Sequence, residues 1–336
     1  MRIAVDGRHL AAGRGVGRYS AVLLGGLRAA FGDDEWRVVE RGPRAGYAAA
    51  AWLGHPRIDR AAGGADVVWL PAPAPEAVSP GVPYVVTVHD LSWVQRPGDF
   101  TAYERFWHSA GRLRRLICGA TRVICVSAAT RDALISHGWG DEERIRVVLS
   151  GPGFGGPEHE TSSSSTFRSP YYLMVGALEP RKGVEVALAA HRLARARGLT
   201  AELVFAGDGR AVVEGDGVRL VRAPADDELH TLYTGALAVV HPALLEGFGF
   251  PPVEGLLHGT PAIVADLPVY DETIGGGALR TPPGDAEALA DAMLRVESDA
   301  GLRPQLANEG RAAVEALSWE RAARETHAIL AEATAR

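Results

Sequence analysis

Residues 171–183 read YYLMVGALEPRKG, five apolar residues that predict a buried β-strand, then a loop with two glycines that leads to a helical pattern near Val184. Short apolar runs of the same kind, bounded by Pro, Gly or polar residues, occur on both sides of this segment. They lie at 2–6, 65–70, 84–88, 121–126, 145–149, 201–206, 217–221, 237–241 and 261–265. Because helical stretches separate several of these strands, the pattern predicts an α/β fold with parallel sheets covered on both faces.

The chain length and one low-complexity segment predict two domains. The chain has 336 residues, which is enough for about two domains that each bury a core. Residues 151–170 contain four consecutive serines and several Gly and Pro residues without apolar periodicity, which is typical of a linker. We predict the following division: a first Rossmann-like domain over 1–155, a linker over 156–169, a second Rossmann-like domain over 170–318, and a C-terminal helix over 319–336 that can pack on either domain.

Composition excludes several classes of protein. The net charge of -6 and the lack of a dominant basic run give no support to a nucleic acid partner. Only Cys118 and Cys125 are available for a disulfide, and the chain opens on a strand-like run, so we expect a cytoplasmic protein. No window approaches the roughly 18 apolar residues of a spanning helix, so we expect any membrane contact to be peripheral.

Ligands in open parallel sheets bind beyond the carboxyl ends of the strands, so the residues after each apolar run are the candidates for chemistry. In the motif GRGVGR at 13–18, Gly15 and Gly17 lead into a helix and allow backbone N–H groups to approach a phosphate or sugar. An ordinary glycine-rich turn is the alternative. His89 follows the run 84–88, where it can donate to a sugar hydroxyl, shuttle a proton or have a structural role.

Lys182 is unusual in this composition. Of the 35 Lys and Arg residues, 34 are Arg and Lys182 is the single Lys. Arg181 and Lys182 stand together just before the helix near Val184, where two cations oppose the helix dipole unless an anion is bound. The pair therefore indicates a diphosphate site. In the alternative interpretation, both side chains extend into solvent and pair with Glu179 or Glu185.

The string HPALLEGFGFPPVEG at 241–255 combines a strand end, a glycine-containing loop and the start of a helix. Glu246 lies on the loop and Glu254 lies inside the helix, so the two carboxylates cannot share one helical face. We expect them to contact different parts of one ligand. Gly247 and Gly249 leave backbone amides accessible to a small polar ligand at a helix N-terminus.

Taken together, these segments resemble the retaining glycosyltransferases of family 4. Residues 246–254 look like the paired-glutamate signature of that family, and GALEPRKG at 176–183 resembles its diphosphate-binding segment. The resemblance implies the GT-B fold, in which two Rossmann-like domains face each other across a cleft. It extends along almost the full chain and also includes residues 15–19, 89–92, 122–127 and 206–209.

The resemblance implies a role for each candidate residue. Arg181 and Lys182 would neutralise the donor diphosphate. Glu246 would lie beside the donor sugar and Glu254 would hold the ribose hydroxyls, while His89 would face the sugar from the first domain. No metal and no cofactor are expected, because two cations and helix N-termini supply the charge stabilisation. The remaining donor-binding candidates are Gly15, Gly17, Gly207, Phe248, Gly249 and Phe250.

The resemblance also implies the reaction. A sugar would pass with retention from a nucleotide-diphosphate donor to a hydroxyl of a glycan, a lipid-linked acceptor or a small molecule. The run 89–93 is most similar to bacterial mannosyl- and rhamnosyltransferases of surface-polysaccharide assembly, which favours GDP-mannose as the donor. Three alternatives remain: a nucleotide-sugar epimerase, a phosphorylase of the same architecture, and a non-catalytic nucleotide-sugar-binding protein.

Residues 103–118 predict a helix that mixes apolar and basic side chains, among them Phe106, Trp107, Arg112 and Arg114. Helices at membrane surfaces combine such groups to bind anionic lipid. The pattern therefore suggests peripheral contact with an anionic membrane at its inner face. In the alternative interpretation, the apolar residues pack on the sheet and the arginines are solvated.

Overall fold

The computed structural model describes residues 1–10, 15–40, 52–153 and 169–335. The chain divides into two compact units, Met1–Gly151 with Ser318–Arg336, and Pro152–Leu317. Residues 156–168 of the predicted linker, and Gly13 and Arg14 of the first glycine motif, lie outside the described residues.

The first unit is built on a parallel six-stranded sheet in the order β2-β1-β3-β4-β5-β6. Two of its central strands, Val67–Leu70 and Arg122–Cys125, are buried at every residue, which is the environment that largely apolar strands in a sheet covered on both faces require. The strands are β1 (Arg2–Asp6), β2 (Glu35–Val39), β3 (Val67–Leu70), β4 (Tyr84–Val88), β5 (Arg122–Cys125) and β6 (Ile145–Val147). The helices are α1 (Val16–Ala30), α2 (Ile58–Ala61), α3 (Ser92–Gln95), α4 (Ala102–Ala110), α5 (Leu113–Gly119) and α6 (Ala128–Ser136).

The second unit contains another parallel six-stranded sheet, in the order β12-β11-β10-β7-β8-β9. The strand order reverses between β7 and β10, which is where ligands bind in doubly wound sheets. The strands are β7 (Tyr171–Val175), β8 (Glu202–Ala206), β9 (Val218–Val221), β10 (Ala238–His241), β11 (Ala262–Ala265) and β12 (Ala278–Thr281). The helices are α7 (Val184–Ala196), α8 (Asp226–Gly235), α9 (Phe250–Leu257), α10 (Val269–Thr273), α11 (Ala286–Ser298) and α12 (Leu302–Glu315).

The last helix, α13 (Trp319–Thr334), belongs to the first unit, where it packs along α1. Glu332 of this helix accepts hydrogen bonds from Arg122 at 2.6 Å and from Arg146 at 3.0 Å. The Arg122 side chain is only 1% exposed. Because an unpaired buried guanidinium is strongly unfavourable, this carboxylate fixes the end of α13 against the sheet.

The prediction of an α/β fold with parallel sheets is confirmed, and two details differ from it. The sequence pattern missed β2 and β12, whose residues are mostly only partly buried and therefore lack a continuous apolar run. The single helix predicted over 103–118 is wrong. It is two helices, α4 and α5, because Arg112 adopts the left-handed conformation with φ 51° and interrupts the helical hydrogen bonding.

Candidate functional site

Two loops meet at the switch point of the second sheet. One follows β7 and contains Arg181 and Lys182, and the other follows β10 and contains Glu246. The amide of Leu244 donates to the carbonyl of Arg181 at 2.9 Å and ties the loops together. The diphosphate segment and the glutamate string, separated in sequence, are thus adjacent in space.

Lys182 and Glu246 form an ion pair, and His241 is its third member. The Lys182 ammonium donates to Glu246 Oε2 at 2.6 Å, and His241 Nε2 lies 2.9 Å from the same oxygen. The amide of Gly247 donates to the other oxygen, Oε1, at 3.2 Å. The exposed fractions of the side chains are 16% for Lys182, 11% for Glu246 and 1% for His241. A pair this shielded from water is held more tightly than a surface ion pair.

The charges of this triad are set by burial and by the triad itself. Burial alone would raise the pKa of Glu246, but the Lys182 ammonium and His241 hold it well below its usual range. Burial lowers the pKa of His241, against the opposing effect of Glu246. At neutral pH Glu246 is therefore a carboxylate and His241 a neutral imidazole.

Two glycines permit the close approach of these loops. Gly183 has φ +76°, and a Cβ there would lie 2.1 Å from the carbonyl oxygen of Pro242. Gly249 has φ +85°, and a Cβ there would lie 2.7 Å from the ring of Tyr270. Both positions are left-handed and both lack space, so only glycine fits.

Arg181 contacts Glu179 and keeps most of its donors. Its Nε donates to Glu179 Oε2 at 3.1 Å, which is the pairing that the solvent-exposed alternative expected for this residue. Among the described residues neither terminal guanidinium nitrogen has a partner, and two of the three N–H groups of Lys182 are likewise unassigned. The cations at the start of α7 are thus partly neutralised by Glu179 and Glu246, and both side chains keep N–H groups that can donate to a bound ligand.

Both helices that begin at the switch point lack a side-chain cap. The N-caps of α7 and α9 are Gly183 and Gly249, and neither helix has a capping hydrogen bond from a side chain. In the described part of the chain, no acceptor is recorded for the amides of Phe248, Gly249 and Phe250. Two such helix ends side by side create a region of positive potential that suits an anion or sugar oxygens.

Glu254 is held in different surroundings from Glu246. It is 6% exposed and accepts a hydrogen bond from the hydroxyl of Tyr233 on α8. A Cβ on Gly153 would lie 1.9 Å from Glu254 Oε1, so the chain entering the second unit passes directly against this carboxylate. The two glutamates have separate partners, consistent with their expected contacts to different parts of a ligand.

Gly207 also makes a close backbone contact. It follows β8, and a Cβ there would lie 1.9 Å from the carbonyl oxygen of Gly176, which follows β7. The structure thus gives Gly207 a packing reason, in addition to the donor contact expected for its loop. Phe248 and Phe250 pack with their ring centroids 4.7 Å apart.

The candidates Gly15, Gly17 and His89 belong to the first unit. His89 Nε2 lies 2.8 Å from the carbonyl oxygen of Pro71, so the neutral ring carries its proton on Nε2. Burial lowers the pKa of His89, which favours that neutral form. The ring of Tyr19 contacts it edge-on at 4.6 Å. Gly15 has φ +57° at the start of α1, and a Cβ there would meet none of the described residues within 4 Å.

Sequence reasoning missed His241 as a functional candidate. The signal that selected His89, a histidine at the end of an apolar strand, was present at His241 as well. Its Nδ1 is buried and has no hydrogen-bond partner among the described residues. Tyr270 was also missed; burial and the nearby Glu246 raise its pKa well above the usual value. Tyr270 lies near Glu246 only because α10 packs against Gly249, which the sequence pattern does not show.

The described residues contain neither a membrane-spanning helix nor a metal-ligand cluster. None of the helices is both long and apolar enough to cross a membrane. No group of three or more His, Cys, Asp and Glu side chains in the same ranges is arranged as a metal-ligand set.

Two family models match adjacent parts of the chain. The model described as "Glycosyl transferases group 1" matches residues 158–313, which include the whole Lys182–Glu246 site. The model described as "Glycosyltransferase Family 4" matches residues 20–151, in the first unit. Between them the two models cover most of the sequence.

Curated relatives and solved structures agree with these matches. The chain is 28% identical over 227 residues to the O-antigen chain mannosyltransferase RfbU of Salmonella typhimurium, covering 63% of this chain and 60% of that protein. It is 27% identical over 169 residues to the O-antigen chain mannosyltransferase B of Escherichia coli, covering 46% and 44%. The alignments thus span about half the length of these relatives. Sucrose-phosphate synthase of Thermosynechococcus elongatus superposes with a TM-score of 0.77 at 20% identity, covering 100% and 99% of the chains, and establishes the GT-B fold.

Proposed function

Because the chain belongs to the glycosyl transferases group 1 family, we propose that it transfers a sugar from a nucleotide-diphosphate donor to an acceptor hydroxyl. The observation that carries the proposal is the Lys182–Glu246 pair, which lies at the switch point between two uncapped helix N-termini. A diphosphate bound there would accept hydrogen bonds from Lys182 and Arg181 and would interact favourably with both helix dipoles.

The chemistry then depends on stabilising the leaving group. The bond between the anomeric carbon and the diphosphate oxygen breaks, and the acceptor oxygen bonds to that carbon. We propose retention of configuration, with the proton of the acceptor hydroxyl passing to the leaving phosphate. The Lys182 ammonium and the Arg181 guanidinium neutralise the charge that develops on the diphosphate. Glu246, held ionised by Lys182 and His241, positions the ammonium and contacts the donor sugar.

The donor that we propose is GDP-mannose. Both relatives described above are named as mannosyltransferases, and the run at 89–93 resembles that of bacterial mannosyl- and rhamnosyltransferases. No metal is required in this proposal, because cationic side chains and helix N-termini provide the charge that a divalent ion would otherwise supply. Transfer in excess EDTA should therefore continue at the untreated rate. Complete loss of transfer that only magnesium or manganese restores would contradict this part of the proposal.

Peripheral contact with an anionic membrane from the cytoplasmic side is also part of the proposal. Tyr103 and Phe106, one helical turn apart on α4, are 55% and 68% exposed. Leu113 and Ile117 of the same segment are 5% and 0% exposed, as the alternative interpretation expects, so the proposed contact involves only the exposed aromatic side chains. Sedimentation with phosphatidylglycerol vesicles, and not with phosphatidylcholine vesicles, is the expected result. Equal binding to both, or to neither, would contradict it.

The experiment that tests the transferase compares three variants of the full chain. Release of GDP from GDP-mannose is measured with and without a glycan acceptor. Lys182→Ala and Glu246→Ala should each lower the rate by roughly 100-fold to 1000-fold while the protein stays folded, since each removes part of the leaving-group stabilisation. The control is Arg197→Ala, which removes a cation that pairs on the surface with Glu287 and Asp291. It should retain the wild-type rate.

Two results would contradict the proposal. The first is a folded Lys182→Ala variant with near-normal turnover. The second is a wild-type protein whose melting temperature rises with nucleotide sugars but that never turns them over, because that behaviour identifies a non-catalytic binding protein.

A further inference from the structure

The first unit has a pocket that the proposed donor chemistry does not use. Its volume is about 410 Å³, and its walls come from α3, α4, α5 and the residues that follow α6. Trp93 on α3 lies five positions beyond β4, so the pocket lies on the side of the sheet where the strands end. That side is where open parallel sheets bind ligands. The lining residues relevant to its chemistry are Trp93, Arg105, His108, Arg112, Arg114 and Trp139.

One part of the pocket wall is aromatic. The rings of Trp93 and Trp139 lie 5.2 Å apart at 45°, and Trp139 is only 8% exposed. His108 packs against Trp93 with a centroid distance of 5.5 Å. Burial lowers the pKa of His108, against the opposing effects of Glu104 and Asp90. The aromatic wall is therefore largely uncharged and can accept apolar groups of a ligand.

The other part of the wall is cationic. Arg105, Arg112 and Arg114 each carry a guanidinium, and the described part of the chain gives none of them a carboxylate partner. Arg112 stacks over the ring of Trp52 at 4.1 Å. The nearby carboxylate of Glu104 is occupied by the capping box with Thr101. Three guanidiniums that have no carboxylate partner within the described ranges attract an anion to the pocket, and guanidinium geometry matches phosphate.

The pocket uses one face of α4. Arg105, His108 and Ser109 line it at the i, i+3 and i+4 spacing of a single helical face, whereas Tyr103 and Phe106 are exposed on another face of the same helix. A pocket with both an aromatic and a cationic wall is suited to a ligand that has an anionic group and an apolar chain.

We propose that this pocket binds the phosphate group of an amphiphilic acceptor, a phosphate ester joined to an apolar chain. Arg112 and Arg114 bind the phosphate, and the apolar chain lies against the indoles of Trp93 and Trp139. That the occupant is an acceptor rests on the proposed transferase function. The binding itself depends only on the contacts of the first unit.

The test uses dihexanoyl phosphatidate as a monomeric probe of this chemistry. Its affinity for the full chain is measured by calorimetry below the concentration at which it forms micelles. Inorganic phosphate, which lacks the chain, and dihexanoyl phosphatidylcholine, whose phosphate is neutralised by choline, should each bind at least about tenfold more weakly. Arg114→Ala should weaken phosphatidate binding about fivefold, in line with the loss of one partly exposed ion pair.

Arg115→Ala is the matched control. Arg115 is the next residue on α5, is exposed like Arg114 and does not line the pocket. It should leave phosphatidate affinity within about twofold of wild type. Equal loss in both variants, no loss in Arg114→Ala, or inorganic phosphate or phosphatidylcholine binding as tightly as phosphatidate would each overturn the proposal. GDP release from GDP-mannose is measured on the same wild-type preparation. Wild-type protein that binds phosphatidate without releasing GDP would contradict the transferase alone, and wild-type protein that releases GDP without binding phosphatidate would contradict the pocket alone.

Discussion

Gly183 controls the distance between the two loops of the candidate site, so Gly183→Ala should separate them. A Cβ would lie 2.1 Å from the carbonyl oxygen of Pro242, whereas ordinary contact begins at 3.4 Å. The difference, 3.4 minus 2.1, requires the backbones to separate by 1.3 Å. A misplacement of about 1 Å can lower a rate roughly 100-fold. The left-handed φ of +76° adds about 1 kcal/mol of destabilisation, and the overlap adds about 1–3 kcal/mol.

The matched control for this change is Gly259→Ala. Gly259 has nearly the same φ, +74°, but a Cβ there would meet no atom of residues 1–10, 15–40, 52–153 or 169–335 within 4 Å. This variant should lose only the backbone contribution, about 1 kcal/mol, and should keep the wild-type rate. Urea denaturation gives the free energies of unfolding, and GDP release from GDP-mannose gives the rates. A Gly183→Ala protein as stable and as active as Gly259→Ala would refute the inference that this contact positions Lys182 against Glu246.

Two further predictions concern stability. Glu332→Gln should lower the free energy of unfolding by about 1–3 kcal/mol because it weakens the pairing of the buried Arg122. The control is Glu320→Gln on the same helix, which should change the free energy by less than about 0.5 kcal/mol because its partner Arg324 lies 4.0 Å away in solvent. Equal effects of the two variants in urea denaturation would contradict the role of Glu332. The free energy of unfolding should also fall as the pH drops below about 6.5, because unfolded histidines take up protons that their buried forms resist, and each full proton of difference contributes about 1.4 kcal/mol per pH unit. The histidines whose pKa burial lowers are His9, His89, His108, His191, His241 and His258. A free energy of unfolding that stays constant or rises as the pH falls from about 7.5 to about 5.5, a range that spans the ordinary histidine pKa, would contradict this prediction.

The buried strands were predictable because each one carries its own signal. A strand covered on both faces must be apolar along its length, so β7 appears in the sequence as Tyr171–Val175 with the same bounds. The edge strands β2 and β12 are only partly covered, tolerate polar residues and leave no such signal. The break between α4 and α5 was also hidden, because a left-handed Arg112 has no distinctive sequence pattern.

The sequence by itself determined the α/β class, the positions of the buried strands and the loops that carry Lys182 and Glu246, since these follow from local apolar patterns and from motifs. Only the tertiary structure decided that these two side chains pair, that His241 completes the triad and that Gly183 must be glycine. It also decided that α13 joins the first unit through Glu332 and Arg122. The physical reason is that such contacts join residues far apart in sequence, and their partners are selected by strand order and by the exclusion of water, which no local pattern records.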